Sequence, residues 1–120
     1  MKEITLNGTV YVPKTEAEEA KAKQLDGMDY CIIRTYSAGV HAGYVESHNG
    51  KEVVLRNSRR LWKWAGAFTL SELSKNGTAK PSECKFATKI DKILLMEAIE
   101  IIPCTEKAQK SIESVGDYKC

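Results

Sequence analysis

The chain has 120 residues, a length that suits one domain with an adequate core of its own. Eighteen Lys and Arg against sixteen Asp and Glu leave a net charge of +2, too small by itself for a nucleic-acid protein, so a basic site has to come from local clustering. The four cysteines (Cys31, Cys84, Cys104, Cys120) have no CxxC spacing, no stretch approaches the roughly 18 apolar residues of a membrane span, and MKEITLNG lacks the apolar run of a signal peptide. These features exclude a zinc knuckle and a thioredoxin-like site, and they point to reduced thiols in a cytoplasm.

In chain order, residues 3–12 read as two short β runs around Asn7-Gly8, a strong hairpin signal. Residues 14–25 carry good helix formers, with Thr15 and Glu18 spaced as a capping box and Asp26-Gly27 as the stop. Residues 29–36 (DYCIIRTY) form a strand, with Ile32, Arg34 and Tyr36 on one face and Cys31, Ile33 and Thr35 on the other, the second face being core. Ser37-Ala38-Gly39 turns the chain into a partner strand, residues 40–47. Gly43 inside that strand signals a bulge or the close approach of a backbone or ligand. Asn49-Gly50 leads into residues 51–57, which completes a three-stranded antiparallel meander.

Residues 58–68 (SRRLWKWAGAF) read as a strand with a bend, pointing Arg60, Trp62 and Trp64 one way and Arg59, Leu61 and Lys63 the other. Residues 69–77 are a short helix capped by Thr69, with Glu72 as its box partner. A short strand at 84–88 and a strand with one bulge over 90–102 follow, then a helix at 106–115 capped by Thr105. The whole is one α+β domain, 1–120, with an antiparallel β-sheet (a meander of about five to seven strands) and two or three short helices.

All four arginines (Arg34, Arg56, Arg59, Arg60) and both tryptophans fall between Arg34 and Trp64. Arginine forks hold phosphate, and aromatic faces stack on bases. Arg60, Trp62 and Trp64 on one strand face would span about 14 Å. The tryptophans read equally as core anchors, and the arginines as solvated. Ser37-Ala38-Gly39 reads as a plain hairpin turn or as a nest of N–H groups for an anion. His41 reads as a structural histidine or a ligand contact, far less as a base, because no nucleophile elbow is present. There is no GxGxxG, no GxxxxGK[ST], and no His/Cys/Asp/Glu cluster for a metal, so neither a cofactor nor an enzymatic role is expected.

The segments RTYSAGVHAGYVESHNGKEVVL, SRRLWKWAGAFTLSEL and EAIEIIPCTEKAQKSIESV resemble a family of small proteins encoded by tailed phages, over roughly residues 29–115. That resemblance implies immune evasion of the anti-CBASS kind: a sponge that sequesters a cyclic nucleotide second messenger, such as cyclic GMP–AMP, without cleaving it. It also implies a homo-oligomer in the cytoplasm of the infected host. In that reading Arg34, Arg59 and Arg60 neutralise phosphates, Tyr36, Trp62 and Trp64 stack on bases, and Ser37 and His41 donate hydrogen bonds. The alternatives are a phage accessory module that binds nucleic acid, which the small net charge disfavours, and one that binds a host protein. The hairpin residues and the Arg60–Trp64 strand make one site only if the fold sets them face to face.

Overall fold

The computed structural model describes the strands at 4–6 and 9–11 and residues 20–118. Strands β1 (Ile4–Leu6) and β2 (Thr9–Tyr11) pair antiparallel with each other, with Leu6 opposite Thr9. The Asn7-Gly8 turn expected between them lies outside the described residues. The main sheet is antiparallel and six-stranded. Its spine is the meander β3 (Tyr30–Thr35), β4 (Val40–Asn49) and β5 (Glu52–Lys63). Helix α1 (Leu70–Asn76) follows, and a single 3₁₀ turn at Pro81–Glu83 leads to β6 (Lys85–Phe86). Strands β7 (Ile90–Leu95) and β8 (Ala98–Pro103) and helix α2 (Glu106–Ser114) complete the chain.

The sheet runs β6-β5-β4-β3-β8, and β7 also pairs with β5. The twelve residues of β5 are long enough to take β7 along residues 53–58 and β6 along 61–63 on the same side. A β-bulge bends this strand. Ala42 faces Arg59 and Tyr44 faces Arg56, so Gly43 alone stands against Asn57 and Ser58. Asn57 takes the extra residue at φ 48°, which asparagine tolerates. A Cβ on Gly43 would lie 2.7 Å from Ser58 Cβ, so the expected close backbone approach is present.

Two apolar clusters lie on the two faces. One joins Tyr30, Ile32, Ala42, Leu61 and Phe86 to Leu73 of α1 and Ile112 of α2. The other holds Cys31, Ile33, Val53, Leu55 and Leu95. β3 is therefore core on both faces from Tyr30 to Ile33, where the sequence pattern indicated one. Its central position between β4 and β8 is the reason. Burial pushes the Cys31 thiol up to about 11 and the Cys104 thiol up to about 12, as inert core residues require.

Three expectations change. Residues 20–25 of the expected 14–25 helix are not helical; residues 14–19 lie outside the described residues. Asp26 (φ 50°) and Gly27 (φ 79°) instead form a tight turn in which Leu25 and Met28 exchange backbone hydrogen bonds. Two consecutive positive φ values suit a type I′ hairpin, so Asp26-Gly27 reverses an extended chain rather than ending a helix. Ala20–Ala22 runs beside Cys104–Glu106, with Ala22 N–H donating to Cys104 O at 3.1 Å. Residues 90–102 are two strands rather than one bulged strand. The chain reverses at Met96-Glu97, and β7 and β8 pair with β5 and β3 respectively. Helices α1 and α2 keep their expected caps: Thr69 Oγ1 accepts from Glu72 N–H and Thr105 Oγ1 from Ala108 N–H, each at 3.1 Å.

Candidate functional site

Strand register decides which of the predicted residues can meet. Arg34 pairs across with Val40, and His41 pairs across with Arg60. Successive residues of a strand point to opposite faces, so Arg34 and Arg60 lie on opposite faces of the sheet. Arg34 and the Arg60–Trp62 face are therefore not two walls of one cleft within a single chain, whereas His41 shares the face of Arg60.

The hairpin groups are largely engaged with their own neighbours. Arg34 Nε donates to Glu100 Oε1 at 2.7 Å across to β8. Ser37 Oγ donates to Glu97 Oε1 at 2.8 Å. Thr35 Oγ1 accepts the Ala38 N–H at 2.9 Å and donates to Gly39 O at 2.7 Å, which makes the turn self-contained. Gly39 sits at φ 87°, the conformation this turn needs glycine for. Tyr36, 78% exposed, is the exception. His41 is buried, with Nε2 3.0 Å from Ala38 O. Burial holds its pKa below the ordinary 6.5, with a smaller push the same way from Arg60 and an opposing one from the Ala38 hydrogen bond. A neutral ring then donates from Nε2 to the carbonyl, and His41 serves the turn.

Arg59 requires a correction. It is 1% exposed, and its five donors are used inside the protein. Nε donates to Ala87 O at 2.9 Å, and Nη1 donates to Ile112 O at 3.1 Å and Val115 O at 2.7 Å. Nη2 reaches Phe86 O at 3.4 Å and Asp117 Oδ1 at 3.1 Å. The guanidinium also lies 5.4 Å from the Phe86 ring centroid. Arg59 faces the helices because its cross-strand partner is Ala42, a residue of that core. It contacts no open surface. Its work is to satisfy carbonyls at the end of α2 and to fasten the chain that follows.

That fastened segment completes a cluster on the surface. Phe86 O accepts the Tyr118 N–H at 2.9 Å, and Thr88 Oγ1 donates to Asp117 Oδ2 at 2.8 Å. Tyr118 is thereby held against Trp62, edge to face, with ring centroids 5.6 Å apart. Lys85 Nζ lies 5.9 Å from the Trp62 ring and 5.0 Å from the Tyr118 ring. Arg60, Trp62, Ala87 and Tyr118 line an open hollow of about 290 Å³. Trp62 is 67% exposed. Among the described residues Arg60 has no hydrogen bond or ion pair; its side chain runs past Gly39, whose added Cβ would lie 3.9 Å from Arg60 Cδ and Nε. The hollow thus has one cation and two aromatic rings, with Lys85 resting against those rings, and among the described residues no acid is paired with either cation.

Trp64 does not join it. β5 ends at Lys63, alternation stops there, and Trp64 packs half-buried on the helix-side core. Of the eight residues read from the sequence, Arg60 and Trp62 meet in this hollow. Lys85 and Tyr118 were missed. Lys85 lies in a two-residue strand, and Tyr118 follows the last helix, so neither belongs to a readable pattern. Among the described residues no group of three or more His, Cys, Asp or Glu side chains is placed to hold a metal ion, and no helix is long and apolar enough to cross a membrane. Chemically the hollow can stack a flat ring and neutralise an anion.

No curated protein and no solved structure matches the chain. A protein-family profile does, and its matched stretch takes in Arg60, Trp62 and Lys85 but stops short of Asp117 and Tyr118. Residues 28–112 match the family described as domain of unknown function DUF6948, and the chain belongs to that family.

Proposed function

We propose that this protein binds a nucleotide at the Arg60–Trp62–Tyr118 hollow, beside Lys85, and holds it without cleaving it, as a phage-encoded sponge for a cyclic nucleotide defence signal. The observation that carries the reading is an exposed tryptophan beside an arginine that lacks a partner among the described residues. An arginine without an acid is free to fork onto a phosphate, and an exposed indole offers a face to a base. Lys85, now resting on the two rings, can turn to a second phosphate at the cost of two exposed cation–π contacts, each about 0.5–1 kcal/mol. The hollow of about 290 Å³ is at the small end of ligand sites, which fits one nucleotide unit per protomer. A cyclic dinucleotide such as cyclic GMP–AMP would then be gripped by one half, or by two protomers of a homo-oligomer in the host cytoplasm.

The test is direct. The protein is incubated with cyclic GMP–AMP, separated from free ligand, heated, and the released material is chromatographed. Intact nucleotide in stoichiometric amount supports a sponge. Cleaved nucleotide makes the protein an enzyme, and no binding at micromolar protein removes the reading. The openness of the hollow favours one second reading, an accessory module that stacks a single-stranded nucleic acid on Trp62. That reading predicts oligonucleotide binding with a steep salt dependence, which cyclic dinucleotide does not share.

A further inference from the structure

Tyr36, an aromatic that the Trp62 hollow does not use, is 78% exposed. With Lys51, Glu97 and Ile99 it lines a second hollow, of about 250 Å³, and none of these four residues borders the first one. Three separate segments build it, and backbone bonds tie them together. Tyr36 N–H donates to Glu97 O at 3.0 Å, and Ala98 N–H donates to Lys51 O at 3.0 Å. Ser37 Oγ donates to Glu97 Oε1 at 2.8 Å, which orients the carboxylate and leaves Oε2 without a donor among the described residues. Arg34 faces Glu100 and Thr35 faces Ala98, so Ile99 is the extra residue of a bulge in β8. Ile99 is 48% exposed and forms a wall of the hollow. Among the described residues the Lys51 ammonium has no acid or hydrogen-bond partner.

These groups define what they can hold. Tyr36 and Ile99 offer apolar surface to a flat ring, and a lysine without an acid is a point charge for an anion. A carboxylate only accepts, so the ring edge that meets Glu97 has to carry donors. Guanine carries two side by side, N1–H and the 2-amino group. Adenine and cytosine set one amino group beside a bare ring nitrogen, which a carboxylate repels. Uracil sets its one N–H between two carbonyl oxygens. The donor set therefore selects guanine, and the size of the hollow takes the base and leaves the sugar in solvent.

We propose that this hollow is a second nucleotide site, selective for guanine. The base stacks on Tyr36 against Ile99, its N1–H and 2-amino donors meet Glu97, and its phosphate pairs with Lys51. The site stands apart from the Trp62 hollow, and neither needs the other.

GMP, AMP and guanosine titrated into the isotope-labelled full chain, followed by amide NMR shifts, test it. GMP should shift the amides of Tyr36, Lys51, Glu97 and Ile99 together, and bind at least about fivefold more tightly than AMP. Tyr36→Ala should weaken GMP at least about fivefold. Glu97→Gln, which can still accept from Ser37, should bring GMP and AMP level. Lys51→Ala should weaken GMP and leave guanosine unchanged. Trp62→Ala should leave all of these responses as they are. No shift at these amides at about 1 mM GMP overturns the proposal, and so does equal binding of AMP. Shifts confined to Trp62 and Lys85 overturn it as well, while leaving the nucleotide reading of that hollow in place. If Tyr36→Ala fails to fold, the shift map and the GMP-to-AMP ratio of the unmodified chain decide alone.

Discussion

Arg59 and Arg60 are neighbours in the chain and opposites in the fold. Arg59 turns to the helix side of β5, where four backbone carbonyls and Asp117 take all its donors. Arg60 turns to the other side and, among the described residues, finds no acceptor. The inward face of this strand builds the support, and the outward face carries the candidate chemistry. The two are coupled, because the buried arginine fastens the segment that brings Tyr118 to Trp62. An arginine-rich stretch is thus not one functional unit; pleat alternation divides it between structure and surface.

The sharpest way to break the comparison is Arg59→Ala. It leaves several buried carbonyls without donors, each costing about 1–3 kcal/mol, and a total loss of about 3–5 kcal/mol is expected in urea unfolding. Ligand binding should fall with it, through release of Tyr118. A near-unchanged midpoint would show that water replaces the guanidinium. Gly43→Ala strikes the bulge that sets the phase of β5. Its Cβ meets Ser58 Cβ at 2.7 Å and the Ser58 backbone at 2.9 Å, so about 1–3 kcal/mol of destabilisation is expected from the same measurement.

On the outward face the effects move from stability to binding. Trp62→Ala should cost about 1–3 kcal/mol of nucleotide affinity by calorimetry and about 0.5 kcal/mol or less of stability, since the ring is mostly exposed. Equal affinity in this variant would move the ligand elsewhere. A pH series then probes the turn that Arg60 crosses. His41 has a folded pKa below its unfolded value, so its stabilising burial is complete above about pH 6.5 and is lost as pH falls through that value toward the folded pKa. Urea midpoints at pH 7.5 and pH 5 should differ in that sense, and His41→Gln should flatten the slope. Arg34→Ala is expected to do least. Its ion pair with Glu100 is half-exposed on both sides, worth about 0–1 kcal/mol, and it lies on the face away from Trp62. Loss of nucleotide binding in this variant would contradict the separation of the two faces.

Much of the fold was legible locally. Asn49-Gly50 and Ser37-Ala38-Gly39 marked the meander, Thr69 and Thr105 marked the starts of α1 and α2, and Gly43 marked the close approach. The errors arose where one local signal serves two structures. Asp26-Gly27 closes a helix or makes a hairpin, and only pairing of Ala20–Ala22 with the chain near Cys104 selects the hairpin. The apolar run at 90–102 reads as strand throughout, yet its two halves bond to different partners, which periodicity does not register. Half of the candidate site was visible for the same reason: Arg60 and Trp62 lie two apart on one strand, while Lys85 and Tyr118 arrive through strand pairing and a buried arginine.

The sequence by itself determined the α+β class, the antiparallel meander and the helix caps, because turn residues, two-residue alternation and capping hydroxyls act over a few neighbouring positions. It also determined that cations and aromatics concentrate between Arg34 and Trp64. The tertiary structure alone decided which of them share a surface. Facing is set by the register of β5 on β4, bulge included, and by where that strand ends. Those quantities follow from which distant carbonyls and apolar side chains have to be covered, and no local pattern contains them.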